Sequence, residues 1–132
     1  MARAFSCDIP VASPPEHVRE WWTDGPPRDR EFAATFPGPL GMKVRVRETF
    51  RVRPDGSWGF ETRAPFGIDV RDDFRAEAAP GGSVVRVHCV VSGRSLLGRL
   101  AVPFYAPMAR RQFERQWREM ARACEADLRT QR

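Results

Sequence analysis

The stretch KVRVRETFRVRPDGSWGFETR, residues 43–63, decides the fold because its apolar residues alternate with charged ones. Counted by twos, one face of the first predicted strand holds Val44, Val46, Glu48, Phe50 and Val52. The opposite face is mostly arginine. The face that the pattern predicts to be buried therefore includes one carboxylate, that of Glu48.

The turn sequence PDG, residues 54–56, predicts a three-residue hairpin loop with its glycine in a left-handed conformation. The pairs across this loop are Val52 with Trp58, Phe50 with Phe60, and Glu48 with Thr62. A two-residue loop would instead set Phe50 and Val52 against Glu61 and Gly59. The hydrophobic pattern therefore selects the three-residue register.

Two further strands, roughly Gly67–Ala78 and Ser83–Ser92, alternate in the same way. A tight turn at Pro80 and Gly81 would place Phe74 opposite Val87 and Asp72 opposite Cys89, with Trp58 near Asp72 on the other side. The predicted inner surface is apolar and aromatic. It has four polar points, namely Glu48, Thr62, Asp72 and the thiol of Cys89.

The flanking segments complete a mixed pattern of strands and helices. RAFSCDI predicts a first strand that ends at Pro10, and SPPEHVREWW predicts a helix with Ser13 as its N-cap. Residues 28–41 leave two alternatives open, a short helix around Glu31–Thr35 or an edge strand, followed by a Pro/Gly loop.

A C-terminal amphipathic helix is predicted to begin near Tyr105–Pro107, after the segment SGRSLLGRLAVP. Its apolar stripe consists of Ala109, Phe113, Trp117, Met120, Cys124 and Leu128. With the four strands at Met42–Arg53, Ser57–Arg63, Gly67–Ala78 and Ser83–Ser92, this stripe indicates a helix packed on a sheet.

This order of elements resembles the START-like helix-grip (SRPBCC) superfamily, and most closely its polyketide cyclase/dehydrase-like branch. The residues that carry the resemblance are FSCDIPVASPPEHVREWWTD at the start and FERQWREMARACEADL at the end. It implies an α+β fold over residues 1–132 as one domain: a curved antiparallel sheet of about six or seven strands around a long C-terminal helix, with one or two short helices after the first strand. It also implies a cavity between sheet and helix for an apolar or aromatic ligand.

The two inner carboxylates are the candidate catalytic groups of such a site. Glu48 or Asp72 would act as general acid or base on a polyketide-like substrate. The predicted substrate-binding residues are Phe50, Trp58, Phe60, Thr62, Cys89, Phe113 and Trp117.

Structural alternatives stay open for both carboxylates. A bulged strand would leave Glu48 at a wet rim or paired with Arg63 or Arg99, and a slip of one residue would place Asp69 and Asp73 inside instead of Asp72. His88 is expected on the outer face with Arg86. His17 is expected to be exposed or at a rim beside Trp21.

The composition and the motifs of the sequence limit the classes of partner and cofactor that we expect. The net charge of +5 comes almost entirely from arginine, but acidic residues are interspersed and no nucleic-acid module is recognisable, so a nucleic-acid partner is not expected. The three cysteines form no metal pattern, no phosphate loop or other cofactor motif is present, and no window suggests a membrane span. We expect a cytoplasmic protein without metal or cofactor, and a homodimer stays open.

Three functions remain. The first is a polyketide cyclase or dehydratase; the second is a non-catalytic carrier or self-resistance protein that sequesters an apolar ligand; the third is a protein-interaction module. For the first, the arginines at positions 45, 47, 51 and 53, beside Arg71 and Arg75, form either a solvated face or a docking face for an acidic carrier protein.

Overall fold

A computed structural model describes residues 2–37 and 42–130. The chain forms a six-stranded antiparallel sheet with two α-helices. The strands are β1 (Ala2–Val11), β2 (Glu31–Pro37), β3 (Lys43–Val52), β4 (Trp58–Ala64), β5 (Ile68–Ala79) and β6 (Gly82–Gly93). The helices are α1 (Pro15–Thr23) and α2 (Leu96–Thr130). The predicted fold class is confirmed with six strands and one short α-helix after the first strand.

The sheet has the order β1-β6-β5-β4-β3-β2, so the first two strands of the chain form its opposite edges. Both edges contact the same helix. Phe5 of β1 lies against Trp117 with ring centroids 6.2 Å apart, and Phe36 of β2 lies 5.5 Å from Phe113, one helical turn earlier. Six flat strands would span about 24 Å, whereas a helix is only about 10 Å across. The sheet therefore curves around α2.

The predicted registers of both central hairpins are confirmed. Glu48 lies opposite Thr62 across the β3–β4 hairpin, and Asp72 lies opposite Cys89 across β5–β6. Gly56 closes the first hairpin with φ at 85°, the left-handed conformation that the PDG sequence predicts. Trp58, which was expected near Asp72, lies opposite Phe74, and Phe60 is the residue directly opposite Asp72.

The segment at residues 31–37 is an edge strand, which resolves the alternatives left by the sequence. Phe32, Ala34 and Phe36 alternate with exposed residues and pack partly buried against the core. The short helix considered there does not form, because pairing with β3 satisfies this backbone as a strand. The loop predicted at residues 38–41 lies outside the described residues.

The predicted start of α1 is wrong by one residue. Pro14, not Ser13, is the N-cap, and no side chain caps the helix. Ser13 is instead buried, and its carbonyl oxygen accepts a hydrogen bond from the Ser83 hydroxyl at 2.5 Å. Proline at the following helical position has no N–H and its fixed φ suits the first turn of a helix, so α1 begins here without a capping side chain.

The predicted start of α2 is wrong by two to three turns. The helix begins at Leu96 and includes Pro103 and Pro107, which the sequence analysis treated as a boundary. The Ser95 hydroxyl accepts a hydrogen bond from the backbone N–H of Gly98 at 3.0 Å, as an N-cap does. Packing keeps the segment helical despite its prolines, because Gly98, Val102 and Ala106 extend the buried stripe backwards at intervals of four.

Candidate active site

Four polar side chains lie on the inner face of the sheet, as the strand alternation predicts. Their exposed fractions are 7% for Glu48, 2% for Thr62, 5% for Asp72 and 0% for Cys89. Each belongs to a different strand, β3, β4, β5 and β6, and each projects into a core of aromatic and aliphatic side chains. The inner face therefore combines an apolar wall with a small buried polar cluster.

Glu48 is buried without a positively charged partner among the described residues. The Thr62 hydroxyl donates a hydrogen bond to its Oε1 at 3.2 Å. Burial raises the pKa of Glu48, and the hydrogen bond from Thr62 only partly offsets that rise. The alternatives of a wet rim, or of pairing with Arg63 or Arg99, are therefore not realised.

Asp72 is the more strongly perturbed carboxyl group. Burial raises its pKa from the usual 3.8 to about 7, a hydrogen bond from the Cys89 thiol opposes this rise, and the negative charge of Glu48 adds to it. Its Oδ1 atom has no hydrogen-bond partner among the described residues. The considered slip does not occur, because Asp69 and Asp73 lie on the outer face and form ion pairs there.

Tyr105 is a neighbour of this cluster that the sequence analysis missed as a site residue. Burial raises the pKa of its phenol, and the nearby Cys89 and Asp72 raise it further. The residue was interpreted only as a helix start. A signal was present, because the stripe Ala109, Phe113, Trp117 extends backwards by four residues to Tyr105.

The cysteine thiol in the cluster is a poor nucleophile in this state. Burial, together with the adjacent Asp72, raises the pKa of Cys89 far above its usual range. Cysteine reacts as the thiolate. Cys89 is therefore a hydrogen-bond donor to Asp72 rather than a reactive group.

Aromatic rings surround the polar cluster. Trp58 stacks on Phe74 with centroids 5.7 Å apart and planes 3° apart, and Phe74 meets Trp117 edge to face at 5.6 Å. Phe50 contacts Phe60 at 4.8 Å. Of the predicted binding residues, Phe50, Trp58, Phe113 and Trp117 are thus core side chains, and Phe60 is half-buried.

An open pocket of about 830 Å³ reaches the inner face at Phe60. It is bounded by Trp21 and Trp22 of α1, Met120 of α2 and the segment after α1. Phe60 lies opposite both Phe50 and Asp72 in the sheet and lines this pocket, whereas the four side chains of the polar cluster do not line it. Sheet and C-terminal helix both contribute to the pocket, and α1 forms a third wall.

The two histidines lie away from the carboxylates. His88 is exposed on the outer face, as expected, and its Nδ1 is 2.9 Å from the Ser6 hydroxyl. His17 is half-buried at the rim of the pocket, where its Nε2 is 3.2 Å from the Cys124 carbonyl oxygen and 3.5 Å from Asp127. No cluster of three or more His, Cys, Asp or Glu side chains in the described residues is placed to hold a metal ion.

The outer face of the sheet is less positively charged than its arginines suggest. Arg53 and Arg71 both contact Asp73, Arg75 lies 2.9 Å from Asp55, and Arg47 lies 3.2 Å from Glu31. These acidic residues neutralise much of the face predicted for an acidic partner. In residues 2–37 and 42–130, no helix has the length and apolar character needed to cross a membrane.

Solved structures with the same arrangement were found by comparison of folds. The protein Ara h 8.0201 superimposes with a TM-score of 0.70 at 12% identity, over 98% of this chain and 99% of that one. The ZhuI aromatase/cyclase from a Streptomyces species gives 0.72 at 12% identity, over 97% and 96%. The chain has the START-like helix-grip fold. The resemblance seen in the sequence is thus confirmed at the level of the fold.

The helix-grip fold also occurs in StfQ, a di-domain aromatase/cyclase from the steffimycin biosynthetic pathway. That match has a TM-score of 0.67 at 12% identity and covers 96% of this chain but 50% of StfQ. At such identities the likeness establishes the helix-grip fold alone. No family model matches the sequence, and the search of curated proteins gave no match.

Proposed function

We propose that this protein binds an apolar or aromatic small molecule between its sheet and α2, and acts on it as a polyketide cyclase or dehydratase. The observation that carries the proposal is the buried pair Glu48 and Asp72, two carboxyl groups in an aromatic wall without a cation beside them. Two solved structures of this fold are named as aromatase/cyclases, which supports the proposal of a cyclase activity.

The chemistry follows from the two raised pKa values. Asp72, with a pKa of about 7, still holds its proton in part of the molecules at neutral pH, as a general acid requires. The negative charge of Glu48 adds to the rise in the pKa of Asp72, so we propose Glu48 as the base and Asp72 as the acid. Thr62 orients Glu48 through the hydrogen bond that it donates.

In the proposed step, the Glu48 carboxylate removes a proton from a carbon between two carbonyl groups. The resulting enolate attacks another carbonyl carbon of the same chain and forms the ring bond, while protonated Asp72 donates its proton to the new alkoxide. Dehydration would follow when the Asp72 carboxylate removes a second proton from the same carbon and protonated Glu48 donates its proton to the departing hydroxyl, which leaves as water. These steps need no oxidant, reductant or metal.

A second candidate function is carriage or sequestration without chemistry, as in a self-resistance protein. The observation that favours it is the burial of both carboxyl groups, since a substrate must displace core side chains to reach them. A carrier needs only apolar volume. Carriage predicts an unmodified ligand after binding.

The proposed setting is cytoplasmic secondary metabolism. If a carrier protein presents the substrate, we propose Arg45 and Arg51 for that contact, because among the arginines predicted for this face they are the two without an ion pair in the described residues. A homodimer is compatible with this surface.

The test combines binding and turnover. The variants Glu48→Gln and Asp72→Asn should keep binding of the fluorescent apolar probe 1-anilinonaphthalene-8-sulfonate but lose cyclisation of a linear poly-β-ketone thioester by at least about 100-fold. Glu61→Gln is the matched control, because Glu61 is exposed on the outer face of β4. Unchanged turnover in both inner variants would refute the catalytic proposal.

Native mass spectrometry of the purified protein separates the two candidate functions. An unmodified apolar compound that is released on denaturation, with no turnover of the linear thioester, would favour carriage. Conversion of the thioester to a ring by the ligand-free protein would favour catalysis.

A further inference from the structure

A cluster of exposed apolar side chains lies at the start of α2. Of the large hydrophobic residues exposed in the described part of the chain, all but Met42 belong to it. We call it the apolar patch. It consists of Phe66, Leu96, Leu97, Leu100 and Phe104. Leu96, Leu100 and Phe104 recur at intervals of four and so share one face of the helix.

The backbone holds this patch in a defined arrangement. Phe66 lies in the turn Pro65–Gly67 with φ at 66°, a left-handed conformation that a bulky residue rarely adopts, and its ring is 74% exposed. Gly98 permits close approach of this turn to α2, because a Cβ at that position would lie 2.2 Å from the Gly67 carbonyl oxygen. Arg94 fixes the same turn by donating its backbone N–H to that oxygen at 2.8 Å.

Between the turn and the helix runs an apolar groove of about 360 Å³. Its lining residues are Phe66, Ile68, Leu97, Ala101, Phe104, Tyr105 and Met108. None of them is charged, and the Tyr105 hydroxyl is the one polar side-chain group among them. A protein partner of ordinary kind would form about one hydrogen bond per 100–200 Å² of interface, and this surface offers very few.

Positive charge borders the patch. Between Glu77 and Glu114 the chain has no acidic residue, while it has Arg94, Arg99 and Arg111 around the exposed face. Arg94 contacts Asp69, but Arg99 and Arg111 form no ion pair among the described residues. Arg111 follows Phe104 by two helical turns and so lies on the same side of α2.

We propose that the apolar patch inserts into the surface of a lipid bilayer that carries anionic head groups. Leucine and phenylalanine on one side of a helix with arginines beside them is the pattern of an interfacial helix. A bilayer requires no hydrogen bonds from the patch, and its anionic head groups match the free arginines. A second copy of the chain would bring the same arginines against each other, which opposes self-association.

The test is flotation of the protein with vesicles of phosphatidylcholine alone and of phosphatidylcholine mixed equally with phosphatidylglycerol. The protein should float with the mixed vesicles, bind the neutral ones more weakly, and lose part of its binding at high salt. Leu100→Ser and Phe104→Ser should each weaken partitioning at least about tenfold. Both residues are exposed, so the variants should fold.

Two controls make the result specific. Met42→Ser removes an apolar side chain that is 58% exposed outside the patch and should leave binding unchanged. Arg45→Glu reverses an exposed charge on β3 and should weaken binding less than Arg99→Glu does. An equal loss from Arg45→Glu and Arg99→Glu, with none from Phe104→Ser, would refute the proposal in favour of unspecific adsorption.

Two further outcomes would also overturn it. One is absence of flotation with both kinds of vesicle. The other is concentration-dependent dimerisation in analytical ultracentrifugation that Leu100→Ser and Phe104→Ser abolish, because the patch would then bind a second copy. The proposal does not depend on catalysis, since vesicle binding is measured without any substrate.

Discussion

The buried carboxyl group of Asp72 should make the protein less stable as the pH rises from about 4 to about 7. Burial raises its pKa from the usual 3.8 to about 7, so the folded state holds the proton to a higher pH than the unfolded chain does. The group therefore does not destabilise the folded protein at low pH. The free energy of unfolding decreases as the pH rises between the two pKa values. A pKa raised from 3.8 to about 7 corresponds to a loss of about 4 kcal/mol in the free energy of unfolding. The total free energy of unfolding of a domain is typically only about 5–15 kcal/mol.

The assay is guanidinium unfolding of the wild type and of Asp72→Asn, followed by tryptophan fluorescence at several pH values. The free energy of unfolding of the variant minus that of the wild type should increase by about 4 kcal/mol between about pH 4 and pH 8. Comparison of the change with pH cancels the fixed cost of placing an amide at this site. It also cancels the titration of groups that both proteins share.

Glu61→Gln provides the control, because it makes the same replacement of carboxyl by amide at an exposed site of β4, where burial plays no part. The reasoning would be refuted if the difference for Asp72→Asn stayed constant or decreased as the pH rose. That result would mean that the folded protein stabilises the Asp72 carboxylate, contrary to its burial and its unpaired Oδ1 atom.

Three further perturbations test separate parts of the structure. Glu48→Gln should lower the pKa of Asp72, since the charge of Glu48 contributes to raising it, and the pH dependence described above should move to lower pH; an unchanged midpoint would contradict the coupling. Gly98→Ala should lower the melting temperature and cost about 1–3 kcal/mol, because its Cβ would overlap the carbonyl oxygen of Gly67; thermal denaturation checks this. Phe66→Gly should raise the unfolding free energy by about 1 kcal/mol by relieving a left-handed backbone and, in the flotation assay, weaken vesicle binding; a loss of stability would argue against strain at this residue.

The central sheet could be predicted from the sequence because its determinants are local. Alternation with a period of two assigns each side chain to a face, and a short turn sequence sets the register. Glu48 opposite Thr62 and Asp72 opposite Cys89 follow from these two rules alone. The burial of both carboxyl groups was predictable for the same reason.

The start of α2 could not be predicted in this way, because tertiary contacts decide it. Pro103 and Pro107 disfavour a helix locally, yet the close approach of Gly98 to the turn at Gly67 and the burial of Val102 hold the segment in place. The role of Tyr105 was missed together with that half of the helix. Residues 31–37 were ambiguous because a short apolar alternation becomes a strand only when β3 is available for pairing.

Two features that cost this fold stability, at Phe66 and Asp72, have a common neighbour in Tyr105. Phe66 adopts an unfavourable backbone conformation and exposes its ring, and it lines the same groove as Tyr105. Tyr105 is in turn close enough to Asp72 for the charge of that carboxyl to raise its pKa. A sequence that served stability alone would have an apolar side chain in place of Asp72 and polar ones in the patch. The strained turn and the buried acid therefore have Tyr105 as a common neighbour, because it lines the groove and its pKa is raised by Asp72.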